Sequence, residues 1–404
     1  MIPRDWRVDS LRGYFLVLMT LAHLPQNPLQ PFTSYTFGYA SAPDGFVFLS
    51  GLVSTWVYLR VRNKHGQRAL ETRVLRRTRD VYLVHIFLLS ASLAEAVLLA
   101  HNSFQSTHPV QAFLSGSLLL YQPTLSDILP MYCIFLLFTP IVLDQMMKGR
   151  AWLVGMTSAT LWCAAQWGSG DASQLVPWIS LGSFNILAWQ AYFVAGQYLG
   201  YRSSRGGESV VPKSRGLLVV CITLSLLFFL DRHSEFLFGA TPVLKFALGP
   251  SRTPARFLDA ACLGYVIWWL PRTIDRKLMT LRLFNFFNLL GRHSLQVFAA
   301  SLFITAVLSK ISHHWVGLPG SARVGLALGA VITLVIPAWL HEMYRKQRRE
   351  RRAPEVEYPA ILRANPNFIV STRKEPARGN EGRLGFSVPS EHDFSDSMVT
   401  GDIT

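Results

Sequence analysis

Charge is scarce in this chain. Of 404 residues only 16% are Asp, Glu, Lys or Arg, while 50% are hydrophobic; soluble domains carry roughly a quarter charged residues. Apolar stretches recur along almost the whole length, which disfavours a water-soluble globule and favours a bilayer as solvent. Cysteine is scarcer still. Cys133, Cys163, Cys221 and Cys262 each sit inside an apolar run and form no C-x-x-C pair, so neither a disulfide framework nor a zinc site is indicated. The patterns G-x-x-x-x-G-K-[ST], H-E-x-x-H and G-x-S-x-G are missing, which leaves nucleotide hydrolysis, zinc proteolysis and serine-hydrolase chemistry without support. The first apolar stretch lacks a small-residue cleavage site and is followed by many others, so it is not read as a signal peptide.

Lys and Arg are missing altogether from residues 24–43, 101–126 and 169–183, although the chain has a net charge of +15. They gather instead in 60–79, with eight, around 202–215, in 272–277 and beyond 343. Clustering in alternate loops is the mark of cytoplasmic loops in a membrane protein; it argues for anionic lipid headgroups as partners and against nucleic acid. The expected fold is therefore an all-α integral membrane protein of about ten transmembrane helices. These fall roughly at 10–27, 44–60, 80–100, 127–147, 151–168, 184–200, 216–231, 257–271, 290–310 and 321–341, with N and C termini cytoplasmic. Residues 1–345 form the membrane domain; 346–404 are a basic stretch and a polar tail expected to be disordered. Two places strain this scheme. The stretch 113–122 is apolar but half a span long, and reads as interfacial or re-entrant. The loop 231–256 should be external yet holds Arg232, Lys245, Arg252 and Arg256, through either a boundary error or a role facing an anionic acceptor.

One helix carries a polar stripe. In DSLRGYFLVLMTLAHLPQNP, residues 9–28, Arg12 and His23 are eleven positions apart, close to three helical turns, with Asp9 one turn before Arg12. All three project from nearly one face, and Arg12 and His23 lie about 16 Å apart along the axis. The plain alternative is that Asp9 and Arg12 mark the cytoplasmic end and His23 the outer one. Ionisable residues within a span are default site candidates, however, and an imidazole can take a proton from a hydroxyl and pass it on.

The segment RDWRVDSLRGYFLVLMTLAHLPQN followed by SAPDGFVFLSGLV resembles the start of the OpgC family of the acyltransferase-3 superfamily. DILPMYCIFLLFTPIV, SFNILAWQAYFVAGQYLG and LGRHSLQVFAASLF match that family's pattern in order, so the likeness covers about 3–342. The resemblance implies a membrane O-acyltransferase of the bacterial inner membrane. It would hold no permanent cofactor and use acyl-CoA (succinyl-CoA within OpgC) as co-substrate, with a periplasmic glucan as carbohydrate acceptor. It places the superfamily's essential histidine and arginine on His23 and Arg12.

Other residues are read beside that role. Arg76, Arg77 and Arg79 suit the phosphates of acyl-CoA because guanidinium gives bidentate hydrogen bonds, although an ordinary positive-inside loop accounts for them equally well. Arg292 is a further candidate donor contact, and His293 either supports the site or packs. Asp44 either caps the second helix or orients the His23 imidazole. Asp127, Asn185, Trp189 and Gln190 are candidates on the acceptor side, with capping or the interfacial aromatic belt as the competing explanation. A transporter or flippase of an anionic solute remains the other reading of the same intramembrane charges.

Overall fold

The computed structural model describes residues 5–34, 36–98, 107–121, 128–167, 185–205, 212–239, 243, 254–269, 281–311 and 317–351, and these are dominated by helices. Helix α1 spans Trp6–His23. It starts where the Asp5 carboxylate accepts the Arg7 N–H at 3.0 Å, and it stops because Leu24 precedes Pro25, which disfavours helical backbone in its neighbour. After the short α2 (Gln30–Ser34) come α3 (Ala42–His65) and α4 (Gln67–Leu98), joined by Gly66 alone at φ +82°. The basic run 60–79, expected as a loop, is therefore the two ends of a helical hairpin. Lys and Arg are good helix formers, and charge at a helix tip is solvated without breaking the helix.

Helix α5 (Pro109–Ser117) is the half-length segment. It docks on α4, where the Tyr82 hydroxyl donates to the Ser117 carbonyl at 3.0 Å and the buried His85 lies 3.1 Å from the Gly116 carbonyl. Then follow α6 (Ile128–Met147), α7 (Ala151–Trp167), α8 (Ile186–Ser204), α9 (Arg215–Arg232) and α10 (Ser234–Phe238). The last are α11 (Pro254–Trp269), α12 (Arg282–Arg292), α13 (Ser294–Ile311), α14 (Gly320–Thr333) and α15 (Val335–Glu350). The described residues up to Glu350 belong to one compact unit, and the tail beyond Arg351, expected to be disordered, lies outside the described residues. Two predicted spans are broken: 290–310 at His293, and 321–341 at Leu334. Arg256 belongs to the first turns of α11 and not to a loop, while Lys245 and Arg252 lie outside the described residues.

Three helices among the described residues are long and apolar enough for a full crossing: Gln67–Leu98, Ile128–Met147, and α14 with α15 taken together as Gly320–Arg348. Large apolar side chains also face outward on many helices, such as Phe87, Phe138, Trp152, Val219 and Ile332. So much exposed apolar surface suits lipid far better than water.

Two crossings bring backbones into contact. Where α1 meets α12, a Cβ on Gly13 would strike the Phe287 carbonyl, and one on Gly291 the Asp9 carbonyl. Where α3 meets α8, Gly51 faces the Phe193 carbonyl and Gly196 the Phe48 carbonyl. Small residues let membrane helices approach this closely. The obstruction is backbone, which cannot swing aside. Gly13→Ala is therefore expected to destabilise the detergent-solubilised protein by about 1–3 kcal/mol. Gly155→Ala, in α7 with open space around it, should be neutral or slightly stabilising. Thermal unfolding of the two variants side by side checks this.

Candidate active site

Arg12 sits in the second turn of α1, on the face that meets α3 and α13. Its Nη2 donates to the Ser294 hydroxyl at 2.7 Å, and its guanidinium carbon lies 5.6 Å from the centre of the Phe46 ring. Beside it is a cavity of about 30 Å³ lined by Arg12, Ser50, Arg77, Tyr132 and Ser294, with apolar walls from α3, α6 and α13. Among the described residues, two guanidinium-bearing and three hydroxyl-bearing side chains line it and no carboxylate does. The space is that of about two waters, or two oxygens at the edge of an anion. The larger cavity between α7 and α8, about 550 Å³, is lined by residues such as Gly155, Ala159, Ala195 and Phe257, with no acid, imidazole or cation among the described residues.

The three arginines read together from sequence part company here. Arg77 is half-buried and faces the cavity. Arg76 and Arg79 are exposed on α4, with Arg79 3.3 Å from Asp80. One turn of a helix cannot aim residues at i, i+1 and i+3 in a single direction.

His23 is the last residue of α1, half-buried, with its imidazole over the Met19 carbonyl one turn back. Arg12 and His23 share one uninterrupted helix, so the axial separation of about 16 Å stands.

Asp44 is fully buried and caps α3: its Oδ2 accepts the Ser41 N–H at 2.8 Å. Its second partner is Arg256, whose Nε donates to Oδ2 at 2.9 Å and whose Nη2 donates to the Ser41 hydroxyl at 2.6 Å. The Arg256 guanidinium also lies 5.1 Å above the Trp189 ring. Trp189 is 2% exposed, so its ring is covered by protein and offers no open face for a sugar. Asn185 caps α8 by accepting the Ala188 N–H at 3.1 Å, and Gln190 ties α8 to α7 by donating to the Ser158 carbonyl at 2.8 Å. Asp127 lies outside the described residues. Nearby, Asp259 accepts the N–H groups of Tyr39 and Ala40 at 2.9 Å each, and the Tyr39 hydroxyl donates to Asp231 at 2.5 Å. Burial and that carboxylate raise the Tyr39 phenol above its ordinary pKa. Gly38, at φ +102° beside Asp259, allows the chain to bend into this clamp.

At the junction of α12 and α13, His293 is 2% exposed and its Nδ1 lies 2.7 Å from the Nδ1 of His341 in α15. Arg292 and Glu342 form an ion pair at 3.5 Å. Sequence reasoning missed His341, the Ser294 contact and the pairing of Arg256 with Asp44. A histidine inside an apolar helix had drawn attention at His23, and the same criterion applies to His341.

The family model of the OpgC protein matches residues 4–346. The chain belongs to the OpgC family. No curated protein and no solved structure matches it. OpgC membership implies acyltransferase activity at the level of the family and suggests a glucan succinyltransferase-like function. The matched range runs from before α1 into α15, so Arg12, His23, Arg77 and the α12–α13 junction all fall within the OpgC domain.

Proposed function

We propose that the chain is an inner-membrane O-acyltransferase that moves a succinyl group from cytoplasmic acyl-CoA to a hydroxyl of a periplasmic glucan. Ten spans with both termini in the cytoplasm would put the donor and acceptor ends of α1 on opposite sides. The observation that supports this reading best is the cavity where Arg12 and Arg77, from different helices, converge on one face of α1 whose other end carries His23. An anion is what two guanidinium groups and three hydroxyls recognise. With phosphate oxygens of the donor held there, about 16 Å of helix separates them from His23, comparable to an extended pantetheine arm. His23 takes the proton of the acceptor hydroxyl and the oxygen attacks the thioester carbonyl. The carbon–sulfur bond then breaks and the CoA thiolate leaves with the electron pair. Arg76 and Arg79, exposed, attract the donor without enclosing it.

The purified protein in nanodiscs, given succinyl-CoA and a glucan, should yield succinylated glucan by mass spectrometry; absence of any acyl transfer sinks the reading. The arginines give a sharper test. Loss of Arg77 should weaken succinyl-CoA binding about tenfold or more at low and at high salt, because a half-buried charge is poorly screened. The Arg76→Ala/Arg79→Ala pair should weaken it a few-fold, and only at low salt. Equal salt dependence for both would place Arg77 with the surface charges.

A further inference from the structure

The junction of α12 and α13 reads Gly291-Arg292-His293-Ser294, and its four positions divide between two neighbours. Gly291 lies on the Asp9 carbonyl of α1, and Ser294 accepts a hydrogen bond from Arg12 of α1. Arg292 pairs with Glu342 of α15, and His293 with His341 of α15. The backbone of His293 ends one helix and begins the next: its N–H donates to the Leu290 carbonyl at 3.2 Å, and its carbonyl accepts the Val297 N–H at 3.1 Å. Whatever fixes the His293 side chain therefore fixes the angle of the corner, and with it the direction of the Ser294 hydroxyl one residue on.

His341 is what fixes it. The two rings stand edge to face, 4.9 Å between centres at 88°, and nitrogens 2.7 Å apart must hold one proton between them, one donating and the other accepting. Gln296, one turn into α13, brings its amide within 3.5 Å of the far nitrogen of His341. A partly buried hydrogen bond of this kind sets orientation, because a ring nitrogen turned away from water is costly to leave unpaired.

We propose that His341 is a positioning residue for Arg12: through His293 it sets the α12–α13 corner so that Ser294 holds the guanidinium facing the cavity. This makes α15, more than three hundred residues from Arg12 in sequence, part of the donor site, and it rests on the donor-binding reading of Arg12 given above. His341 itself does not touch the donor.

The test uses the full chain in nanodiscs. His341→Phe keeps an aromatic ring and removes the nitrogens; His341→Gln keeps a hydrogen-bonding group. His341→Phe should raise the Kd for succinyl-CoA about tenfold, the scale of one lost hydrogen bond, and leave turnover at saturating donor within about twofold. His341→Gln should recover most of the affinity. Ser294→Ala should reproduce the defect, and adding His341→Phe to it should cost nothing more, since both act on one contact. Phenylglyoxal modification of Arg12, followed by peptide mass spectrometry without any donor, should quicken in His341→Phe. Wild-type affinity in His341→Phe, losses that add to those of Ser294→Ala, or unchanged Arg12 reactivity would each overturn the proposal. Failure of the wild-type protein to bind any acyl-CoA would instead sink the donor reading, and the Arg12 reactivity would still decide whether His341 positions that side chain.

Discussion

His23→Ala is expected to reduce acyl transfer by about 10²–10⁴ or more, the usual worth of a general base, while the protein still inserts and folds. Alanine suits an apolar helix better than histidine does, and α1 is held by its Asp5 cap and by the Gly13 and Gly291 crossing, neither of which His23 touches. The wild-type rate should rise with pH as an imidazole loses its proton, and that limb of the profile should vanish in the variant. Initial rates of glucan succinylation, measured across pH on protein of matched thermal stability, check both points. A folded His23→Ala protein that acylates at near wild-type rate would remove His23 from the chemistry.

How much of this was legible in the sequence depends on which physical signal each feature leaves. Helix α1 was expected at 10–27 and lies at Trp6–His23. The apolar run marked the helix, but Asp5 and Pro25 set its limits: the run alone started four residues late and ended four residues late. The hairpin of α3 and α4 was hidden for the opposite reason. Hydropathy falls where Arg and Lys begin, yet backbone hydrogen bonding does not. A single Gly66 with positive φ is the whole connection.

The positive-inside count underlies the expected topology, and of the two readings of the 231–256 loop the structure takes the boundary error for Arg256. Arg256 looked like a loop charge on the wrong side. It is an internal charge instead, lying in α11 and neutralised by Asp44 at 2.9 Å. A Thr-Pro pair at 253–254 is a start signal for a helix and would have moved the boundary. That Asp44 meets Arg256, more than two hundred residues away, leaves no trace in local periodicity. Arg12 and His23, on one helix, could be related by counting turns. Arg77, Tyr132 and Ser294 could not be brought to Arg12 by any such count, because three further helices deliver them.

That dependence on other helices makes Arg12 the position where the form of the charge should matter as much as its sign. Arg12→Ala is expected to lower acyl transfer by at least about 10²-fold, the scale seen when a charged, hydrogen-bonded group facing a reacting ligand is removed. Arg12→Lys keeps the charge but should recover little. The guanidinium donates to Ser294 at 2.7 Å and lies over the Phe46 ring, two contacts that fit a rigid plane. An ammonium on a flexible stem is a point charge and lacks the planar fork of parallel donors that guanidinium offers. The measurement is kcat and KM for succinyl-CoA in wild type, Arg12→Ala and Arg12→Lys. A lysine variant within about threefold of wild type in kcat/KM would mean that charge alone is required, and that neither Ser294 nor the corner that carries it contributes to donor recognition.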